Sequence, residues 1–223
     1  ELAKCSTRCP PPGRTGGMAS GPNRPRHDSA LAAVRSGFQV TRMPNLLLVH
    51  VPSVKLTDCG RNLGAVRSLF PKISQLILAG IVESRLPEWD VRLLDMKTAF
   101  QTETHYKTID YGGKLLDASR VGLPFEDAAP EIEWADTILL TSNFTQEAGV
   151  VADFISFAKS VNPGVRCIVG GSDAMVQRGE VDRHRYYYEH GADFVGGGDG
   201  ETVLPAVLRD ATPPRQSILT DFN

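Results

Sequence analysis

Two glycine clusters and a pair of hydroxyl residues each follow a short apolar segment of the 223-residue sequence. Gly170 and Gly171 follow the segment VRCIV, the glycine-rich stretch 196–200 follows DFV, and Ser142 and Thr145 follow TILLT. Glycine has no Cβ, so the backbone can adopt positive φ and approach a bulky ligand closely. A tight turn between a strand and a helix is an equally good explanation for any single glycine pair. The three positions together favour a ligand-binding rim.

Two common nucleotide-binding motifs are absent from the sequence. No Gly-x-x-x-x-Gly-Lys-Ser/Thr loop occurs, and the first apolar segment (NLLLVHV) is not followed by Gly-x-Gly-x-x-Gly. Both motifs hold phosphate groups on backbone N–H groups at the start of a helix. The sequence therefore does not indicate a P-loop ATPase or a nicotinamide-dependent enzyme.

The elements that must position these residues alternate between strands and helices. Short apolar runs that end in Pro, Gly or polar residues predict strands, and apolar residues at helical spacing predict helices. The predicted strands are Asn45–Val51, Asp90–Asp95, Thr137–Thr141, Val165–Val169 and Asp193–Val195. The predicted helices are Ile73–Arg85, Gln146–Ser160, Arg183–His190 and Thr202–Arg209. This alternation predicts an α/β fold of the flavodoxin or Rossmann type, a doubly wound five-stranded parallel sheet with helices on both faces.

Ligands bind such sheets at the carboxyl ends of the strands, so the residues that follow each strand are the informative ones. After the first strand these are Pro52–Gly60, which we interpret as a loop. The stretch Lys97–Ala135 is predicted to hold the second crossover, extra loop, and a short helix near Phe125–Ile132.

Charge and composition divide the chain into three parts. Residues 1–43 carry seven basic and two acidic residues and many Pro and Gly, so they are predicted to be a disordered tail. Residues 44–210 are predicted to be the α/β domain, and residues 211–223, with Pro213-Pro214, a linker. We expect the chain to be a fragment of a longer protein in which a further domain follows this linker.

The overall composition excludes several classes of protein. The formal net charge of −2 argues against non-specific nucleic-acid binding, which needs an excess of Lys and Arg. No apolar run approaches the roughly 18–20 residues that span a bilayer. Four cysteines are too few for a disulfide scaffold in a chain of this length. We expect a cytoplasmic protein that binds neither nucleic acid nor membrane.

The order of several short motifs resembles the cobalamin-binding domain of B12-dependent radical SAM enzymes. The residues that carry the resemblance are Phe70-Pro71-Lys72-Ile73, Asp90–Asp95, Thr141-Ser142-Asn143-Phe144, Val165–Ser172 and Asp193–Glu201. They fall in the family's order over roughly residues 44–210. Asp199 stands where the family more often has Glu.

The resemblance implies that the chain binds cobalamin at the carboxyl edge of its sheet. It implies that Ser142 donates a hydrogen bond to the dimethylbenzimidazole base and that Gly170 and Gly171 leave room for the nucleotide tail. Ser142 as a helix N-cap is the alternative. The stretch 198–201 would approach the nucleotide loop or its phosphate through backbone N–H groups. The predicted cofactor-binding residues are Pro52, Thr57, Ser142, Asn143, Phe144, Thr145, Gly170, Gly171, Ser172, Gly197, Gly198, Asp199, Gly200 and Glu201.

One position departs from the pattern of other B12 proteins. Many of them carry Asp-x-His-x-x-Gly after the first strand, and that histidine binds cobalt. The run from Lys55 to Asn62 has Gly60 in register but Thr57 at the histidine position. Imidazole is a practical cobalt ligand and a threonine hydroxyl is not. We therefore expect no protein ligand to the metal and no catalytic residue in this chain, with His50 a strand-end or core histidine.

The resemblance also implies properties of the longer protein. The family carries a [4Fe–4S] cluster and S-adenosylmethionine in a radical SAM domain, which we expect in the missing C-terminal part. Cys5 and Cys9 are only two cysteines, so no three-cysteine cluster site is assigned to them. The implied reaction is methyl transfer, with ring rearrangement as the other option. A small-molecule or peptide substrate would bind through the missing domain.

The alternative interpretation is a flavodoxin- or receiver-like module that binds FMN or a signalling partner. A receiver needs an acidic cluster after the first strand and a phosphorylatable Asp after the third. The sequence has Val51-Pro52 and Ser142-Asn143 at these places. FMN binding usually needs a Ser/Thr-rich phosphate loop after the first strand, and Ser53 with Thr57 is a poor version of one.

Overall fold

The computed structural model describes residues 42–65, 73–97, 102–178 and 181–209. The predicted linker and all but the last two residues of the predicted tail lie outside these ranges. No helix within them is long and apolar enough to cross a membrane.

The described residues form eleven strands and five α-helices. The strands are β1 (Asn45–His50), β2 (Ser53–Asp58), β3 (Arg61–Ala65), β4 (Asp90–Asp95), β5 (Glu103–Tyr111), β6 (Lys114–Val121), β7 (Thr137–Thr141), β8 (Arg166–Gly170), β9 (Gln177–Arg178), β10 (Val181–Asp182) and β11 (Phe194–Val195). The helices are α1 (Ile73–Arg85), α2 (Ala129–Trp134), α3 (Ala148–Val161), α4 (Arg183–Glu189) and α5 (Gly200–Arg209).

A five-stranded parallel sheet is the centre of the fold, with the strand order β11-β8-β7-β1-β4. Counting only these five strands along the chain, the order is 2-1-3-4-5, the doubly wound order of flavodoxin-like proteins. The predicted fold class is confirmed. The predicted strands Asp90–Asp95 and Thr137–Thr141 agree with the observed bounds, and the other three shift by one residue at one or both ends. Continuous apolar runs made β1 and β7 predictable, because both faces of a central parallel strand are buried. The edge strand β4 is partly exposed and carries three charged residues.

Helices cover both faces of this sheet. Leu46 and Leu48 of β1 pack in a core with residues of α1 and α5 on one face. Leu47 and Val49 point the other way, into a larger core with residues of α2, α3 and α4. Successive strand residues alternate between faces, so β1 supplies both cores. The bounds of α1 agree with the predicted helix, and α3 begins at Ala148 after a short 3-10 turn over Thr145–Glu147.

A second sheet corrects the interpretation of the two regions without predicted strands. The residues of β3, β2, β6 and β5, in that order, form an antiparallel four-stranded sheet. The stretch Pro52–Gly60 is therefore mostly strand, and Lys97–Ala135 contains the hairpin β5–β6. Its turn, Gly112-Gly113, has positive φ at both residues, as expected for a two-residue hairpin loop. The Gly-Gly pair is a typical hairpin signal that could have identified this turn. The strand ETHYKTIDY is exposed at seven of its nine residues and does not alternate between polar and apolar residues, so its sequence resembles a loop. The remaining strands, β9 and β10, form a separate two-stranded antiparallel sheet.

Candidate functional site

An apolar cavity of about 120 Å³ lies at the carboxyl ends of β7, β8 and β11, between the sheet and helices α1 and α5. The residues that line it are Leu78, Leu139, Thr141, Ile168, Val169, Gly170, Gly171, Phe194, Gly196, Gly197, Gly198, Gly200, Val203, Leu204 and Val207. Leucine, isoleucine, valine and phenylalanine form its walls. Both predicted glycine clusters border it. The two glycine clusters identified in the sequence therefore lie at the same cavity.

Gly170 is the glycine of the rim that faces open space. Ile168 faces the cavity, and Gly170, two residues further along β8, lies on the same face. A Cβ at Gly170 would meet nothing closer than the Gly196 carbonyl oxygen, 4.0 Å away. A larger side chain at this position would project into the cavity mouth. This placement fits a glycine that leaves room for a ligand.

Gly171 has a different reason to be glycine. Its φ is +106°, and a Cβ there would overlap the carbonyl oxygen of Ser142. The lack of a side chain at Gly171 thus lets two backbone loops touch. Gly170 and Gly171 were predicted as one pair that leaves room for a ligand. Only Gly170 faces open space, whereas Gly171 allows close contact between two loops.

Thr141 is the only polar side chain among the described residues that line the cavity. The buried Gln75 of α1 donates from Nε2 to the Val49 carbonyl oxygen at 2.8 Å and to Thr141 Oγ1 at 3.4 Å. Because Thr141 Oγ1 accepts this hydrogen bond, its own proton can be donated to an acceptor inside the cavity. Thr141 was not among the predicted site residues. Its position two residues after Leu139 places both on one face, but TILLT is buried throughout, so the pattern alone did not identify that face.

The side chain of Ser142 lies on the opposite face of the sheet from the cavity. Its Oγ is 3.5 Å from Asp173 Oδ2, in a buried group that includes Tyr187. Ser142 therefore does not line the cavity, and its hydrogen bond to the nucleotide base stays a prediction. The alternative role as an N-cap is not observed either, because no side-chain cap bond occurs at the described starts of the 3-10 turn or of α3.

The other residues predicted after β7 and β8 do not line the cavity. They are Asn143, Phe144, Thr145 and Ser172. Asn143 accepts a hydrogen bond on its carbonyl oxygen from Ser172 Oγ at 2.8 Å. Thr145 Oγ1 donates to Asp173 Oδ1 at 3.0 Å, and the side chain of Phe144 is largely exposed. These contacts connect the two loops to each other. They do not place the four side chains against a ligand in the cavity.

Pro52 and Thr57 lie with the antiparallel sheet. Pro52 is buried at its base, and Thr57 is a residue of β2 whose Oγ1 donates to the Asp117 carbonyl oxygen at 3.4 Å. Neither lines the cavity. The comparison of the run 55–62 with a cobalt-binding loop is therefore wrong in its structural premise, because a β-hairpin stands where a loop was expected.

The turn before α5 carries negative charge. The Asp199 carbonyl oxygen accepts hydrogen bonds from the backbone N–H groups of Thr202 and Val203, both at 3.0 Å. A hydrogen bond with the Glu201 side chain, followed by one from Thr202, lowers the pKa of the Asp199 carboxyl. An ionised Asp199 complements the positive end of the helix dipole. The contact of the stretch 198–201 with a phosphate stays a prediction.

A buried ion pair lies at the switch in strand order. Lys97 follows β4 and Glu147 precedes α3, and their side chains form an ion pair of 2.7 Å with 6% exposure each. Because β1 lies between β7 and β4, this pair spans the carboxyl end of β1. Flavodoxin-like proteins bind their ligands in the crevice at this switch. The pair occupies part of the space that FMN would need in this crevice.

The histidines and cysteines of the described residues do not meet at the cavity. His50 Nδ1 lies 3.2 Å from Asp95 Oδ1, His105 is in β5, and His184 is in α4. His190 follows α4, and its Nδ1 lies 2.7 Å from the Tyr186 carbonyl oxygen. No group of three or more His, Cys, Asp or Glu side chains suited to a metal occurs in ranges 42–65, 73–97, 102–178 and 181–209. Cys5 and Cys9 lie outside these ranges.

Comparisons with known proteins give similarities of fold. No protein-family model matches the sequence, and no curated protein matches it. A cobalamin-binding protein from Desulfitobacterium hafniense DCB-2 is similar with 12% identity and a TM-score of 0.44, over 75% of this chain and 59% of that chain. A protein from Burkholderia pseudomallei K96243 described as pilus assembly-related has 12% identity and a TM-score of 0.43, over 75% of this chain and 89% of that chain. The chain thus spans 59% of the length of the first of these proteins. Similarities this distant do not identify a ligand or an activity.

Proposed function

We propose that the α/β domain binds cobalamin and holds the nucleotide base of that cofactor in the apolar cavity. The observation that carries the proposal is the cavity itself, at the carboxyl ends of three adjacent strands with glycine on its rim. An apolar cavity of about 150 Å³ is sufficient to take up benzene, so a cavity of similar size suits part of a planar aromatic base. The motif order described above supports the same cofactor.

The residues of the cavity fit an aromatic group with one hydrogen-bond acceptor. Leu139, Ile168 and Phe194 would pack against the base from the sheet, and Val203 and Leu204 from α5. Thr141 would donate its hydroxyl proton to the ring nitrogen of the base. Burying apolar surface supplies most of the affinity, and the single hydrogen bond supplies orientation. Gly170 leaves the mouth open for the tail that connects base to corrin.

The corrin would lie outside the cavity, at the carboxyl edge of the sheet. With the base held in the cavity, it would be away from cobalt, and the described histidines are held elsewhere. We therefore propose that no imidazole binds the lower face of cobalt. Cobalamin supplies a metal that can carry a methyl group, and the residues of this chain would bind and orient it.

We further propose, from the resemblance in motif order, that the domain works with a radical SAM domain in methyl transfer. The [4Fe–4S] cluster, S-adenosylmethionine and the substrate would bind outside the described residues. Purified longer protein that contains this sequence should reductively cleave S-adenosylmethionine or transfer its methyl group. A longer protein without a radical SAM domain would contradict this proposal without affecting the one on cobalamin.

The cobalamin proposal is tested by gel filtration of the full 223-residue chain after mixing with hydroxocobalamin or with FMN. We expect the cobalamin absorbance to elute with the protein at close to one equivalent and FMN to elute separately. Retention of FMN with loss of cobalamin would contradict the proposal and support a flavin-binding module.

A further inference from the structure

A buried carboxylate joins the loops at the mouth of the cavity. Asp173 follows β8 and is 2% exposed. Its Oδ1 accepts a hydrogen bond from Thr145 Oγ1 at 3.0 Å, and its Oδ2 accepts one from Tyr187 OH at 2.8 Å. Arg183 Nε lies 3.5 Å from Oδ1. A charge this buried must be paired and hydrogen-bonded, and these donors meet that requirement.

Backbone hydrogen bonds extend from the same residue to the rim. The Asp173 N–H donates to the Ser142 carbonyl oxygen at 3.1 Å, and the Ser142 N–H donates to the Gly170 carbonyl oxygen at 2.8 Å. The loop after β7 and the turn after β8 are thus joined directly. The other face of this backbone, at Thr141 and Gly170, lines the cavity.

We propose that Asp173 is a positioning residue for the cavity. From the opposite face of the sheet, its carboxylate fixes the spacing between the ends of β7 and β8 and therefore the width of the cavity mouth. The inference rests on the proposed function in one respect, because it takes the ligand of the cavity to be the base of cobalamin. Asp173 itself does not contact that ligand.

Asp173→Asn should loosen the loops because the Asn side chain has fewer acceptor oxygens than the Asp side chain. A carboxylate accepts on two oxygens, whereas the amide of Asn accepts on one and presents N–H groups on the other side. In Asp173→Asn, the hydroxyl of Thr145 or of Tyr187 faces an N–H group and must reorient to accept from it. The half-buried Arg183, 17% exposed, also loses its counter-charge. We expect the two loops to separate while the sheet below them stays intact.

The first test needs no ligand. Amide hydrogen exchange is measured on the full chain with Asp173→Asn, and the Ser142 amide is expected to exchange about tenfold faster or more, with the Cys167 amide unchanged. Asp193→Asn is the matched control. Asp193 Oδ2 alone accepts from the Cys167 N–H at 2.7 Å and from Lys159 Nζ at 2.6 Å, at the amino end of the same sheet. The single amide oxygen of Asn can keep both bonds, so in this control both amides should exchange as in the wild type. Equal exchange of Ser142 in wild type and Asp173→Asn would overturn the inference, whether or not cobalamin binds.

The second test compares cobalamin with dicyanocobinamide, which has the corrin but no nucleotide base. For Asp173→Asn we expect the dissociation constant for cobalamin to rise about tenfold, and that for cobinamide to stay within about twofold. Asp193→Asn should change neither. Unchanged cobalamin affinity, or an equal loss for both ligands, would overturn the positioning role. Failure of the wild-type chain to bind cobalamin would instead contradict the proposed function.

Discussion

Thr141 and Ser142 are neighbours in the sequence, but their side chains lie on opposite faces of the parallel sheet. Thr141 borders the apolar cavity beside α1 and α5, whereas Ser142 Oγ lies 3.5 Å from Asp173 among buried residues on the other face. The hydroxyl that can reach a ligand in the cavity is therefore the one at the end of β7, one residue before the position that the motif order indicated.

Thr141→Val tests the role of this hydroxyl. Valine keeps the shape of threonine and removes both the 3.4 Å hydrogen bond from Gln75 and the proposed bond to the ligand. The bond to the ligand would contribute about 0.5–1.5 kcal/mol to binding. We expect the dissociation constant for hydroxocobalamin, measured by calorimetry, to rise about threefold to tenfold. Ser142→Ala is the matched control, and it should change the constant less than about twofold because its contact is at the limit of hydrogen-bond length. A larger effect of Ser142→Ala than of Thr141→Val would return the binding role to Ser142.

The fold was predictable where burial is continuous, and less so where it is partial. The run NLLLVH is buried along its whole length, and such runs identify strands of a parallel sheet. Strands β2, β5 and β6 are partly exposed, and their polar residues resemble loop sequence. The glycine clusters were informative about the site because they follow buried strands.

The polar residue of the cavity was not predictable, for a related reason. Every residue of TILLT is buried, so alternation does not distinguish the cavity face from the opposite face. Similarly, the sequence does not reveal that the φ of Gly171 is positive or that its Cβ would meet Ser142. These facts depend on contacts between separate loops.

Substitutions at the two rim glycines should have different effects. We expect Gly170→Val to lower the affinity for cobalamin about tenfold or more with little change in stability, because its side chain would project into the cavity mouth. Gly171→Ala should destabilise the fold by roughly 1–3 kcal/mol, because of its positive φ and the clash with Ser142. Urea unfolding and calorimetry measure both effects. If Gly170→Val binds cobalamin with the affinity of the wild type, the ligand does not pass through the cavity mouth.

The buried pair Lys97–Glu147 should matter for stability. Removing one partner of a buried ion pair costs about 3–5 kcal/mol, so Glu147→Gln should lower the free energy of unfolding by that order. Glu189→Gln, which breaks the exposed pair of Arg185 and Glu189, should cost only about 0.3–0.5 kcal/mol. Urea unfolding of the full chain compares them. Equal costs would show that the crevice over β1 is more open to water than the structure indicates.

The thiols Cys59 and Cys167 should differ in reactivity. Burial raises the pKa of the Cys167 thiol to about 12, whereas Cys59 is exposed on a turn. The thiolate is the reactive form, so at pH 9 iodoacetamide should label Cys59 and leave Cys167 unmodified in the folded chain. Between pH 9 and 12 the unfolded state loses a proton that the folded state keeps, so stability contributed by Cys167 falls as pH rises. Peptide mass spectrometry reports the labelling, and rapid modification of Cys167 would contradict its burial.

Electron paramagnetic resonance of Co(II) cobalamin bound to the full chain tests the central claim most directly. If the base lies in the cavity and no histidine reaches the metal, the spectrum should lack nitrogen superhyperfine splitting. The free cofactor at neutral pH, with its base on cobalt, is the control that should show this splitting. A triplet pattern from one axial nitrogen in the complex would mean that the base or a histidine binds cobalt, and would contradict the proposal that no imidazole binds the lower face of the metal.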